Sequence, residues 1–419
     1  MKNTHSHTDT FDVIIVGGGS SGLMAAGCAA QAGARVLVLE KNAVLGKKLS
    51  ITGGGRCNIT NDNRDFKNFL EHFPQSKKYL YSAFSQYSVD ETFDFFENKM
   101  KLPLVTQARN RSFPASERAT DVRNTMVNFC RQNKVSFILS ATVTKLTATD
   151  DGWVVKTTQG NHTCRKLILS TGGYAAPETG STGDGFKWLS DLGHTVSKPS
   201  PSIVPLKTNA SWIHDMSGTS WDYLKIRFYA DGVKKIQKTG KVLFTHFGIS
   251  GPMVLNSSYD VSQLLSWGSV ECSLDLFPDT PAEVLSKRIA KLLQNNVKKD
   301  FANTMPELLP KSMVDTIVSI TGIPSDTKSG DISREQRNSL VATLKDMRFP
   351  ITGTMGLDRA VIADGGVDLS EIDFKTMQSR INPRLYIIGD LLNINRPSGG
   401  FSLQMCWTTG YIAGAHSAR

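Results

Sequence analysis

The sequence predicts an α/β protein whose parallel-sheet domain is interrupted by an inserted module. Three observations predict it. Residues 11–40 read as strand, glycine turn, helix and strand. Two more apolar runs, at 167–171 and 385–390, end in or beside glycine far along the chain. Between them the texture changes near residues 198, 280 and 350. A length of 419 residues suits two or three domains. With 40% hydrophobic and 21% charged residues the composition is that of a globular chain, which excludes a disordered, collagen-like or disulfide-scaffold protein.

Taken in order, FDVIIV (11–16) is a short apolar run of buried-strand type. GGGSSG follows, then an Ala-rich helix over 23–32 that stops at Gly33, then the strand RVLVLE (35–40). GKKLSITGGGRCNITN (46–61) has no period and reads as a glycine-rich loop. Apolar spacing predicts one long helix over 77–100 and another over 116–133. SFILSATVTKLTA, DGWVVKTT and CRKLILST predict an antiparallel excursion that rejoins the main sheet at 167–171. PSPSIVPLK reads as a linker. Strands and turns fill 203–277, helices 280–348, and LYIIGD (385–390) is a last buried strand. The expected division is a domain of 1–197 plus 350–419, split by an insert over 198–349.

Gly17, Gly19 and Gly22 make G-x-G-x-x-G between a strand and a helix, with Ser21 inside the turn. Such glycines permit a tight turn, close backbone approach to a pyrophosphate, and close helix–sheet packing. The helix N-terminus offers free N–H groups to the phosphates. Glu40 ends the second strand, where a carboxylate accepts both ribose hydroxyls. These features predict a Rossmann-like dinucleotide site. A nicotinamide enzyme shares them, but the late Gly389–Asp390 points to FAD, as in two-dinucleotide-fold flavoproteins whose carboxylate meets the ribityl chain.

The segments GKKLSITGGGRCNITN, RSFPASERA (111–119), STGGYAAPETGSTGDGF (170–186), LFTHFGISGP (243–252), ADGGV (363–367), TMQSR (376–380) and GGFSLQ (399–404) resemble the BaiN-like flavoprotein family over about residues 11–415. That resemblance implies an FAD domain carrying an inserted β-barrel (about 198–278) and a small helical module (about 279–349). It implies reduction of carbon–carbon double bonds with NAD(P)H. One branch acts on bile-acid-like enones, and another makes dihydrouridine in large-subunit ribosomal RNA. The chain departs from the pattern at Asp390, Asn393 and Arg380, where many members carry Glu, Asp and Lys.

For the site, Glu40 and Lys41 are expected at the adenosine, with Val143 against the adenine. Lys47 and Lys48 are expected at the pyrophosphate or flavin edge, or facing water. The Thr52–Gly53 stretch and the glycines after it are expected to approach the flavin ring, with Thr171, Gly172, Gly389 and Asp390 along the cofactor. Gly400, Phe401 and Ser402 are expected to close over its pyrimidine end. Cys57 is the candidate proton donor, or a buried packing residue. Arg56 is expected to lower its pKa or to bind an anionic substrate. His246 is the second candidate acid, and Arg109 and Arg111 line either an entrance or a solvated face. No second strand–G-x-G-x-x-G–helix unit exists, so NAD(P)H is expected to bind transiently.

The formal charge of +10 favours an anionic partner, and lysines 234, 235, 238, 241, 287, 291, 298 and 299 with Arg288 suggest a basic insert. The expected partner is ribosomal RNA, the alternative a small anionic enone. Amine oxidation and a non-catalytic FAD-bound RNA-assembly role are further readings. The six cysteines form no C-x-x-C pair, so no metal site is expected and a reducing cytoplasm fits. No apolar run approaches membrane-spanning length, and residues 1–10 lack the apolar run of a secretion signal.

Overall fold

The computed structural model describes residues 10–356, 360 and 362–419, apart from the side chains of Pro201 and Ala363. The chain divides into two compact units, one of residues up to Pro201 with those from Ala360 onward, the other Ser202–Arg359.

In the first unit β1 (Thr10–Val16), α1 (Ser20–Gln31) and β2 (Val36–Leu39) form the expected strand–helix–strand. α2 (Ala119–Gln132) leads to β3 (Ser136–Ile138). β4 (Gly160–Leu169), β5 (Leu385–Ile387) and α3 (Phe401–Ser417) complete the frame. The spatial order is β3-β2-β1-β4-β5, with every neighbouring pair parallel. Val13, Ile14 and Ile15 have no exposure. Burial on both faces explains why this strand reads as a continuous apolar run rather than an alternation. The order reverses at β1, so the carboxyl ends of β1 and β4 flank the crevice where doubly wound sheets bind ligands. α1 and α3 cross closely: a Cβ at Gly410 or Gly414 would come within 2.5 Å of the Ser21 or Ala25 carbonyl oxygen.

Several elements differ from the sequence reading. The single helix over 77–100 is three pieces, Lys77–Phe84, Val89–Phe93 and a wider turn at Asp94–Lys99. Ser88 and Glu91 form a capping box that starts a new helix there, with the Ser88 N–H donating to Glu91 Oε2 at 2.7 Å. The run SFILSATVTKLTA is also two elements. β3 joins the main sheet parallel to β2, and only Val143–Thr149 enters the antiparallel ribbon with Gly152–Thr157 and the first half of β4. The proline-rich linker is extended, its first half lying in the strand Val196–Ser202, which pairs with Ile362–Val367.

The second unit is an antiparallel sheet with helices Ala282–Asn295, Lys311–Thr321 and Arg334–Lys345. Strand and helix residues such as Phe228, Phe244, Phe349, Leu285 and Leu340 share one core. Both sheet edges meet on a single stretch of chain. Met347–Ile351 pairs with Val270–Asp275 at one edge, and Gly353–Thr354 pairs with Leu206–Lys207 at the other. The stretch therefore closes the sheet into a barrel. It straddles residue 350, where the sequence reading ends the insert.

Candidate functional site

The first glycine turn is built without room for side chains. A Cβ at Gly17, which sits at φ +105°, would lie 2.5 Å from the Ser170 carbonyl oxygen, and one at Gly22 would lie 2.0 Å from that of Gly17. Gly19 precedes the first turn of α1 and faces open space. Ser21 packs under Gly389, where a Cβ would come within 2.6 Å of its hydroxyl. The N-terminus of α1 thus lies beside the ends of β4 and β5.

Glu40 is buried and oriented by three donors. Its Oε2 accepts from Gly18 N at 2.7 Å, and its Oε1 accepts from Asn42 N at 2.8 Å and Asn42 Nδ2 at 2.7 Å. One N–H on Oε2 leaves that oxygen able to accept more. Val143 is buried at the end of a segment tied to this strand, since Ala141 N donates to the Glu40 carbonyl at 2.9 Å. Lys41 is committed elsewhere, to Asp184 at 2.7 Å and Thr182 at 2.5 Å. Lys47 is exposed and donates to the Glu178 carbonyl at 2.7 Å.

The loop at 49–58 stands on a small sheet of Thr60–Asn61, Leu104–Gln107 and Arg111–Pro114. Thr52 Oγ1 donates to the Leu49 carbonyl at 2.8 Å. Gly53, Gly54, Gly55 and Cys57 all have left-handed φ, from +58° to +85°. A non-glycine residue held there is strain of the kind that gathers at functional sites. Gly54 and Gly55 have nothing within 4 Å of an added Cβ, so the loop offers an exposed backbone face.

Two expectations at this loop are corrected. Cys57 has no exposure, and burial pushes its thiol up to about 12, the opposite of activation. The Arg56 guanidinium lies 3.6 Å from Glu117, 3.4 Å from Gln107 Oε1 and 4.6 Å above the Phe113 ring, so it serves those neighbours and does not lower the thiol pKa.

The Phe401 ring is buried among Phe69, His72 and Phe73, with its centroid 4.8 Å from that of Phe69. It anchors α3 in the core and is not a cover. Gly400 precedes α3 so closely to Thr60 that a Cβ would lie 2.3 Å from the Thr60 carbonyl carbon. Ser402, the second residue of α3, keeps a buried hydroxyl without a partner among the described residues.

At the end of β5, Asp390 meets a residue the sequence reading missed. Arg396, 1% exposed, places Nη1 2.9 Å from Asp390 Oδ1. Neither Nη1 nor Nε has a well-aimed hydrogen-bond acceptor among the described residues. Lys48 is half-buried close by, and a Cβ at Gly172 would lie 3.9 Å from its Nζ. Burial pushes the Lys48 ammonium below its ordinary value, against the pull of Asp390. Burial pushes the Asp390 carboxyl up, and Arg396 and Lys48 more than offset this, leaving it below the usual carboxylate range. Thr171 lies one residue before Gly172, and its hydroxyl is against Gly185. No signal short of three-dimensional contact marks Arg396, since arginine in R-P-S-G-G reads as a surface loop.

Among the other candidates, Arg111 donates from Nε to the Ala108 carbonyl at 3.1 Å, and Arg109 is exposed at φ +63°. His246 belongs to the second unit, exposed in the turn between Val233–Thr245 and Gly248–Ser250, with its ring against Phe247. All six cysteines are free and buried. Among the described residues no cluster of three or more His, Cys, Asp or Glu could hold a metal, and no helix is long and apolar enough to cross a membrane. The insert is not the basic half: residues 202–359 hold 19 Lys and Arg against 16 Asp and Glu, and the rest of the chain 29 against 22. Positive charge concentrates in two of its stretches, the hairpin 220–245 and the run 287–299, which carries no acidic residue.

A family model described as "HI0933-like protein Rossmann domain" matches residues 11–416. The chain is 29% identical to a 3-dehydro-bile acid delta(4,6)-reductase of Clostridium scindens, over 96% of this chain and 98% of that protein. It is 28% identical to a ribosomal RNA dihydrouridine synthase of Escherichia coli, over 96% and 97%. In fold it resembles a 3-ketosteroid delta1-dehydrogenase of Sterolibacterium denitrificans, with TM-score 0.54 and 13% identity over 98% of this chain and 100% of the other.

Proposed function

The chain belongs to the HI0933-like Rossmann family and is an FAD-dependent oxidoreductase; we propose that it reduces a carbon–carbon double bond conjugated to a carbonyl, with NAD(P)H as transient reductant and a uridine of 23S ribosomal RNA as substrate. The observation that carries the cofactor is the buried Arg396 guanidinium, whose Nε has no acceptor and whose Nη1 has only Asp390 Oδ1, not well aimed, among the described residues; the backbone at Gly19, Gly54 and Gly55 is open as well. Buried donors in a folded protein are normally satisfied, so a ligand rich in acceptors fits there.

Glu40, fixed by its three N–H donors, would hold the ribose of the adenosine. The α1 N-terminus would face the pyrophosphate. When bound, FAD would supply the hydride-transfer chemistry for one carbon of the double bond, with NAD(P)H as the source of its two electrons. The proton for the neighbouring carbon would come from a group other than Cys57, whose thiol has no exposure. His246 is the alternative donor.

The RNA substrate is supported by the name of the Escherichia coli relative and by the charge of the hairpin, where Lys234 and Lys235 are exposed on Val233–Thr245. A uridine offers the same conjugated C=C–C=O as the enone named for the Clostridium relative. Three measurements test the reading. NADPH should bleach the bound flavin near ~450 nm, as expected of flavin chemistry; persistent colour would indicate a non-catalytic binder. RNA binding should weaken steeply with salt. Mass analysis of ribosomal RNA should show dihydrouridine lost on deletion and restored on complementation. Unchanged dihydrouridine, with turnover of a steroid-like dienone, would transfer the assignment to small molecules.

A further inference from the structure

Among the described residues, the first unit gathers a buried arginine and a half-buried lysine about the carboxylate of Asp390. Arg396 is buried and Lys48 half-buried; Asp390 is the carboxylate that pulls on both, and the exposed Glu178 adds a weaker pull on Lys48. Buried charge is costly unless paired and hydrogen-bonded. Here the pairing is incomplete: among the described residues Arg396 keeps Nε and Nη1 without aimed acceptors. A fold that only needed to stabilise Asp390 would require one cation. The second cation and the spare donors belong to a group absent from the chain, one that brings negative charge.

Resting on the reading that FAD binds in this unit, we propose that Arg396 is a ligand-binding residue that, with Lys48 and against Asp390, holds net positive charge for the reduced, anionic form of the flavin. The consequence is that reduced FAD binds more tightly than oxidised FAD. Asp390 then acts as the counter-charge that fixes Arg396, with its carboxylate already in an ion pair. A site serving only the pyrophosphate would behave differently, since that group carries the same charge in both redox states.

The test is a charge series read by the midpoint potential of the bound flavin and by dissociation constants for oxidised and reduced FAD. Arg396→Met removes one positive charge and should lower the potential. Asp390→Asn removes the negative charge and should raise it. The double variant restores the net charge and should return close to the parent, as should Arg396→Lys. Each single change should alter the oxidised-to-reduced ratio of dissociation constants about tenfold, which is about 30 mV for a two-electron couple. If Arg396→Met does not fold, Asp390→Asn and Arg396→Lys still decide the matter. Potentials that stay fixed, or move the same way in both single variants, overturn the proposal and leave Arg396 a structural or pyrophosphate contact. Parent protein that takes up no FAD would instead end the functional reading on which the proposal stands.

Discussion

Each unit surrounds one acidic side chain with a lysine and an arginine, and the two triads are put together differently. In the second unit Asp275, 1% exposed, has Lys345 at 2.9 Å and Arg227 at 3.4 Å, and its other oxygen accepts from Phe277 N at 3.0 Å. Lys345 spends its remaining donors on the Phe277 and Thr280 carbonyls, at 2.7 and 2.9 Å. In the first unit Asp390, Arg396 and Lys48 leave donors unused. Similar ions therefore serve two purposes. A triad that consumes its own hydrogen bonds fastens strand to helix, and one that does not is prepared for something else. Counting charges would not separate the two, but counting satisfied donors does.

The largest effect that can sharpen this contrast lies at Gly22. Gly22→Val forces side-chain atoms onto the Gly17 carbonyl, 2.0 Å from the first of them, and should yield protein that no longer retains FAD, seen as loss of flavin absorbance. The second unit should be untouched, so limited proteolysis should still recover it.

Next comes thiol reactivity. Burial holds Cys57 at about 12 and raises Cys272 in the second unit well above its ordinary value. Both should alkylate far more slowly at pH 8 than a free thiol, by about 10³-fold for Cys57 from its thiolate fraction alone. Rapid labelling of Cys57 with Cys272 still protected would show that the first unit opens where the second does not.

Lys345→Met should cost the second unit about 2–3 kcal/mol, discounted from a fully buried pair because Lys345 is 20% exposed. Urea unfolding measures it, and FAD affinity should not change. A loss of FAD affinity would erase the division of labour between the triads.

A smaller effect follows from pH. The Asp390 carboxyl lies below its usual range in the folded chain, so its contribution is present above about pH 4 and disappears as pH falls through the folded value. Acid unfolding followed by circular dichroism should begin below about pH 4, and Asp390→Asn should flatten that limb. The smallest effect belongs to the Lys41–Asp184 pair. Lys41→Ala should cost under about 1 kcal/mol, because both side chains are partly exposed.

The parts legible in the sequence are those in which local chemistry and tertiary role coincide. Gly17 and Gly22 are glycines because a backbone carbonyl occupies the space of a side chain, and the apolar runs of β1 and β2 are buried on both faces. The rest depends on contacts distant in sequence. Phe401 beside Gly400 resembles a ring over a ligand until Phe69 and Phe73 are seen packed on it. Arg56 beside Cys57 resembles a thiol activator until Glu117 and Phe113 take its guanidinium. Apolar spacing over 77–100 cannot show that Ser88 and Glu91 start a new helix, because a capping box leaves the helical period almost intact. Arg396 is the extreme case, since its burial depends on the end of β5.

The stretch that closes the barrel also sets an order of assembly on the ribosome. Leu206–Lys207 emerges early and waits with one side unpaired until Gly353–Thr354 arrives, so the insert seals only when its final residues have been made. The central sheet waits longer, because β4 lacks its outer parallel neighbour until Leu385–Ile387 is synthesised. A nascent chain stalled between those points holds a finished barrel beside an open β-edge, the kind of edge that recruits strands from other chains. Aggregation during slow translation should therefore start from the nucleotide-binding half, and the insert should remain the soluble part.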